Sequence, residues 1–219
     1  MNTVFVGGSR HVSRLPTQVT DRLNNIIDNG HRVFVGDANG ADKAVQRHLS
    51  KASYPNVMVF CSGEQPRNNL GAWPVRNVFP PKGTKGFQFY AAKDRKMAQE
   101  ADFGLMIWDG KSPGTVLNVL RLVHAGKKAV LMNLPKEAGI AFKSFNEWTE
   151  FLSACGPDLL ADLRERALSE EWVTSESDVQ PDFFGGVKTP ASSKVPASPK
   201  KRRPRKSTSP RRRQTSLLC

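Results

Sequence analysis

Short apolar runs, each closing on a glycine, an acid or a tight turn and each followed by a helical stripe, recur along the sequence. TVFVGG (3–8), RVFVGD (32–37), NVMVFCSG (56–63), FGLMIW (103–108) and KAVLMN (128–133) are the runs. Between the first two, Pro16-Thr17 opens a helix with Val19, Leu23, Ile26 and Ile27 at helical spacing, and Asn29-Gly30 ends it. Ala41, Ala44, Val45, His48, Leu49 and Ala52 make the next stripe. Further helices are predicted from about Phe87 to Ala101 and over 116–125, with SFNEWTEFLSAC (144–155) and PDLLADLRERAL (157–168) as covering helices. Strands that are apolar throughout are buried on both faces, and their alternation with helices predicts an α/β fold, a doubly wound parallel sheet. The stretch from Glu64 to Gly86, rich in Pro, Gly, Asn and basic residues, breaks the rhythm and reads as one long loop.

The 219 residues suffice for one such domain and an extension. We read residues 1–155 as the domain, 156–173 as a helical extension and 174–219 as a disordered tail rich in Lys, Arg, Ser and Pro. The net charge is +13, yet from Ser175 onward there are 11 Lys/Arg against 3 Asp/Glu, so +8 of it lies in the tail. Nine basic residues, Lys200, Lys201, Arg202, Arg203, Arg205, Lys206, Arg211, Arg212 and Arg213, form a cluster without aromatic residues. Such a run neutralises phosphates without reading sequence, so DNA or RNA is its expected partner. Three cysteines without paired spacing argue for a reducing compartment, with neither a disulfide framework nor a metal site. The start of the chain has no basic segment leading into a long apolar one, and no run approaches a membrane span. The expected location is the cytoplasm, with nucleoid association there, or the nucleus in a eukaryotic host. No cofactor is expected.

In doubly wound sheets ligands bind beyond the carboxyl ends of the strands. Three loops there share one chemical character. The first is Gly7-Gly8-Ser9-Arg10, where glycines admit close approach and Ser and Arg can bond a phosphate. The second holds Gly36, Asp37, Gly40 and Asp42 and opens a helix, whose free N–H groups suit an anion. The third holds Asp109, Gly110, Lys111, Ser112, Gly114 and Thr115 and also opens a helix. No loop carries the dinucleotide G-x-G-x-x-G or the Walker lysine pattern. Taken together they predict phosphate recognition.

Asp94 sits in a stripe with Tyr90, Met97, Ala98 and Ala101, where an acid is costly unless paired or used. It reads either as salt-bridged, to Lys93 or Arg95, or as facing the ligand's sugar. Asp37 and Asp109 can bond ribose hydroxyls or cap helices. Trp108 can stack on a base or fill the core. His11 reads as a surface histidine and His48 as a structural one. No elbow or Cys/His pair marks a covalent nucleophile.

The segments VFVGGSR, GDANGADKAVQ and KDRKMAQEADFGLMIWDGKSPGTVLNV resemble the SLOG superfamily over about residues 1–135. This Rossmann-like group includes LOG-type phosphoribohydrolases, the DNA-processing protein of natural transformation and nucleotide-sensing domains of bacterial defence. The resemblance implies a nucleotide or nucleotide-derived ligand held by Gly8, Ser9 and Arg10 on one side and by Ser112, Gly114 and Thr115 on the other. Members often pair, which implies a homodimer. LOG-type hydrolases carry a catalytic Glu in P-G-G-x-G-T-x-x-E, and Asn118 stands there in this sequence. An amide hydrogen-bonds but is no general base at neutral pH. The expected function is therefore nucleotide binding or sensing, with a basic tail on nucleic acid. The alternatives are a nucleotide N-glycosidase using Asp94 or Asp109, and a DNA-binding accessory protein.

Overall fold

The computed structural model describes residues 1–172; the expectations for residues 173–219, the basic cluster included, lie outside the described residues. Seven strands form one sheet: β1 (Thr3–Gly8), β2 (Arg32–Gly36), β3 (Val57–Ser62), β4 (Val75–Val78), β5 (Phe103–Trp108), β6 (Lys128–Asn133) and β7 (Ala138–Phe142). Their order is β4-β3-β2-β1-β5-β6-β7. All neighbours are parallel except β6 and β7. The chain steps outward from β1 to β4, then returns across three strands to place β5 on the free side of β1. The result is a Rossmann-like α/β fold whose strand order reverses between β1 and β5.

The triplet Val-Phe-Val, present in both β1 and β2, encodes the two faces. Side chains alternate across a strand. Val4, Val6, Val33 and Val35 face one way and pack with Val19 and Leu23 of α1 (Thr17–Asp28) and Val45 and Leu49 of α2 (Ala41–Lys51). Phe5 and Phe34 face the other way, where α3 (Gly86–Glu100), α4 (Pro113–His124), α5 (Phe145–Ser153) and α6 (Pro157–Arg166) form the second layer. Phe34 meets Phe60 of β3 with ring centroids 4.7 Å apart. Truncating either ring to alanine costs about 3–5 kcal/mol.

Two strands depart from the sequence reading. The expected loop 64–86 contains β4, a four-residue edge strand paired with β3. Its short length and its Arg76 suit an edge that must not recruit further strands. After β6 a 3-10 turn, Leu134–Lys136, and a left-handed Glu137 (φ 48°) fold the chain back into antiparallel β7. Helix α4 starts at Pro113 rather than at residue 116, because proline suits the first helical position, where its missing N–H costs nothing. Among the described residues no helix is long and apolar enough to cross a membrane.

Candidate functional site

At the reversal between β1 and β5 a cleft of about 570 Å³ opens beyond the strand ends. That size suits a small-molecule ligand. The β1 loop and the start of α4 form one wall, and α3 presents Phe87, Tyr90 and Asp94 on the other.

The β1 loop is pinned on both sides. Ser9 N–H donates to the Ile107 carbonyl (2.9 Å), and the Ser9 carbonyl accepts from Ala41 N–H (3.0 Å). Gly8 has no space for a side chain, since a Cβ there would lie 2.3 Å from the Ile107 oxygen. Ser9 Oγ donates to Asp109 Oδ2 (2.8 Å), Ser112 Oγ donates to the same oxygen (2.9 Å), and the two hydroxyls are 2.8 Å apart. Asp109 Oδ1 accepts from the backbone N–H groups of Ser112 (2.8 Å) and Lys111 (3.1 Å). Burial works against charge on this carboxyl, but these donors outweigh it and hold its pKa down at about 2. Asp109 is thus a clasp between two loops. It is not among the residues that line the cleft.

Because Ser112 turns its hydroxyl to Asp109, no side chain caps α4. The first-turn N–H groups of Gly114 and Thr115 stay uncapped beside the cleft, at the positive end of a twelve-residue helix. Arg10 and Lys111 flank them, and neither makes an ion pair among the described residues. The N-terminus of α2 differs, because the Ser9 carbonyl already takes the Ala41 N–H.

The second loop serves mainly as support. Asp37 is buried and receives Arg67 as a fork, Nε to Oδ2 at 2.8 Å and Nη2 to Oδ1 at 2.7 Å, with the Arg67 backbone N–H adding a third bond at 3.0 Å. Burial opposes the Asp37 charge, yet the Arg67 bonds outweigh it and lower the pKa. Gly40 (φ +81°) lies against the Arg10 backbone, where a Cβ would come within 2.3 Å. Asp42 reaches Lys93 on α3, with Nζ 3.5 Å from Oδ2, and the same Nζ lies 2.6 Å from Asp94 Oδ1. Burial pushes the Asp42 carboxyl up to about 6 against the pull of Lys93. It also opposes the Lys93 charge, but Asp94 and Asp42 prevail and raise that pKa.

Of the sequence-predicted residues, the structure brings Gly7, Gly8, Ser9, Arg10, Asp42 and Asp94 to the cleft, together with Lys111, Ser112, Gly114, Thr115 and Asn118. Gly36, Asp37, Gly40, Asp109 and Gly110 stand behind its walls. Of the two readings of Trp108, the structure takes the core one: the ring lies edge-on to Phe151, with its Nε1 donating to the Ser112 carbonyl at 3.1 Å. Asp94 is both salt-bridged and at the cleft. Its Oδ2 makes no hydrogen bond among the described residues. The Asn118 amide oxygen is taken by Arg121 Nη1 at 2.6 Å, and Arg121 donates in turn to Glu171 (2.7 Å), which Arg95 also grips (2.7 Å). Burial disfavours the Glu171 charge, but the two arginines hold its pKa down at about 2.

Sequence reasoning missed Arg67, Phe87, Tyr90, Lys93 and Arg166, all of which line the cleft. The adjacent Lys93-Asp94 pair in an apolar stripe was a usable signal for Lys93. Arg166 reaches the cleft from α6 over the Phe87 ring (5.4 Å), and nothing in its local sequence marks it. Among the described residues no cluster of three or more His, Cys, Asp or Glu could hold a metal ion.

Fold and cleft together define a Rossmann-like α/β domain with a pocket at its switch point whose charged lining residues are mostly cationic. No family model matches the chain, and no curated protein matches it. Among solved structures the chain is similar to DNA processing protein A from Helicobacter pylori, described for its single-stranded DNA binding mode. The identity is 18%, with a TM-score of 0.45 over 75% of this chain and 79% of that one. At that distance the assignment of fold rests on strand order and register.

Proposed function

We propose that the cleft binds a nucleotide or nucleotide-derived ligand, with its phosphate at the start of α4. The observation that carries this reading is the uncapped first turn at Gly114 and Thr115, set beside the Ser9 and Ser112 hydroxyls and flanked by Arg10 and Lys111. Backbone donors, a helix dipole and two mobile cations are the means by which proteins hold phosphates. A binding or sensing role fits an amide at Asn118 that Arg121 already engages. The test is a thermal-shift comparison of the full chain with adenosine, adenosine monophosphate and inorganic phosphate. Stabilisation that requires the phosphate supports the reading; equal curves with and without all three ligands refute it.

Hydrolysis of the glycosidic bond is a second reading, favoured by the open Oδ2 of Asp94 at the cleft. Asp109 does not serve it, because both its oxygens are committed to the two loops. Mass spectrometry of the same mixtures decides between the two: free base and ribose phosphate mean turnover, intact nucleotide means a binding protein.

The basic run over residues 200–213 adds nucleic acid as a proposed partner, through charge alone. Loss of DNA retention on deleting residues 174–219, with a steep salt dependence before deletion, is the expected result. Unchanged retention rejects it.

A further inference from the structure

Arg67 differs from the other cations of the cleft in what it has left to offer. Its Nε and Nη2 hydrogens in the guanidinium plane go to the two oxygens of Asp37, at 2.8 and 2.7 Å. Its Cζ lies over the Tyr90 ring, 4.7 Å from the centroid. Its segment is anchored as well: Gln46 Nε2 donates to the Asn68 carbonyl (3.2 Å), and Asn68 Nδ2 donates to the Asp37 carbonyl (2.8 Å). The side chain is nevertheless 37% exposed and lines the cleft. A guanidinium whose charge is already answered by a buried carboxylate is a weaker partner for a phosphate than Arg10 and Lys111, which make no ion pair among the described residues. Besides three N–H hydrogens at its far edge, it keeps a planar face, held in place by the two bonds to Asp37. A planar cation presents such a face well to an aromatic ring.

Resting on the phosphate reading above, we infer that Arg67 and Tyr90 form the base platform of the cleft. The ligand's base lies flat on the guanidinium, which is itself stacked on Tyr90. The spacing along α3 fits. Phe87 adjoins Gly114 at the phosphate end, where a Cβ on Gly114 would lie 3.4 Å from its ring, and Tyr90 is three residues further on, about 4.5 Å along the axis. Tyr90 is 43% exposed, unusual for a ring on the helix face that packs toward the sheet. Recognition by a flat face tolerates many bases, so the subsite selects nucleotides over sugar phosphates rather than one base over another.

The experiment is isothermal titration of the full chain with the four common nucleoside monophosphates and with ribose 5-phosphate. The expected result is that the tightest nucleotide binds about 10-fold better than ribose 5-phosphate. Arg67→Lys keeps a charge for Asp37 but removes the plane, and Tyr90→Ser removes the support from an exposed position. Each is expected to bring nucleotide affinity down to that of ribose 5-phosphate while leaving ribose 5-phosphate binding unchanged. Equal binding of nucleotides and ribose 5-phosphate by the unaltered protein overturns the platform and leaves the phosphate site standing. So does full nucleotide preference in both variants. Absence of binding by every probe overturns both readings.

Discussion

Lys93 and Asp42 meet 3.5 Å apart although they belong to helices on opposite faces of the sheet. They reach each other past the carboxyl end of β2, where Gly36 leaves the path open. With Asp94 they form a buried cluster in which one ammonium serves two carboxylates. Removing the ammonium strands a buried charge, which costs more than the intact pair contributes. Lys93→Met is expected to destabilise the protein by about 3–5 kcal/mol in urea unfolding. Adding Asp42→Asn to that variant should recover part of the loss, as coupled neighbours do. Strictly additive effects would show that the two groups do not interact.

The same path makes Gly36 sensitive to substitution, because a side chain there must displace the buried pair. A Cβ there would lie 2.2 Å from Asp42 Oδ2 and 2.5 Å from Lys93 Nζ. Gly36→Ala should cost more than about 2 kcal/mol through overpacking. Gly156→Ala is the control, since nothing lies within 4 Å of a Cβ there. Gly156 is the N-cap of α6, so its expected cost is the loss of a favoured cap residue, under about 1 kcal/mol. Melting curves of the two variants measure the contrast.

Acid should unfold the protein through two identified carboxylates. Asp109 and Glu171 are each held at about 2 in the fold, against ordinary values of 3.8 and 4.5. A depressed folded-state pKa contributes stability that is complete above the unfolded value and is lost as pH falls toward the folded one. That window runs from about pH 4.5 down to about 2. Asp42, raised to about 6, acts in the opposite sense and lowers stability as pH rises from about 4 to 6. Asp109→Asn and Glu171→Gln should each flatten the acid limb of a stability-against-pH curve, and an unchanged limb would discount the clasps.

The Arg10 and Lys111 side chains are exposed, flank the α4 terminus and make no hydrogen bond or ion pair among the described residues. Arg10→Ala with Lys111→Ala should weaken nucleotide binding several-fold and reduce its salt dependence, without moving the ligand-free melting temperature. Titration at two ionic strengths reads both effects.

The strands that build the centre of the sheet were legible because they are buried on both faces. The bounds expected for β1, β5 and β6 coincide with the structure. The edges were not: β4 has three half-exposed residues and an exposed Arg76, and β7 carries a glycine and two alanines, so neither shows the apolar signal of an inner strand. For the cleft, the β1 and β5 loops were legible because glycine and hydroxyl residues stand beside strand ends. The work of Asp37 was not, because its partner Arg67 lies 30 residues away in a segment with no periodicity. Trp108 was left with two readings for a related reason. A residue at a strand end can point outward to the ligand or back under the following helix, and the hydrogen bond to the Ser112 carbonyl selects the second.

The triangle of Ser9, Ser112 and Asp109 contains three oxygen-to-oxygen edges of 2.8 to 2.9 Å. Two hydroxyls supply one hydrogen each, and the ionised carboxylate supplies none. One edge is therefore always without a hydrogen, and the two rotors can trade which edge that is without moving a heavy atom. A donor placed at these oxygens would add a bond without breaking one, whereas a group that only accepts would draw one of the two hydrogens out of the triangle. The bonds formed at the mouth of the cleft would then depend on the protons a group carries as well as on its charge.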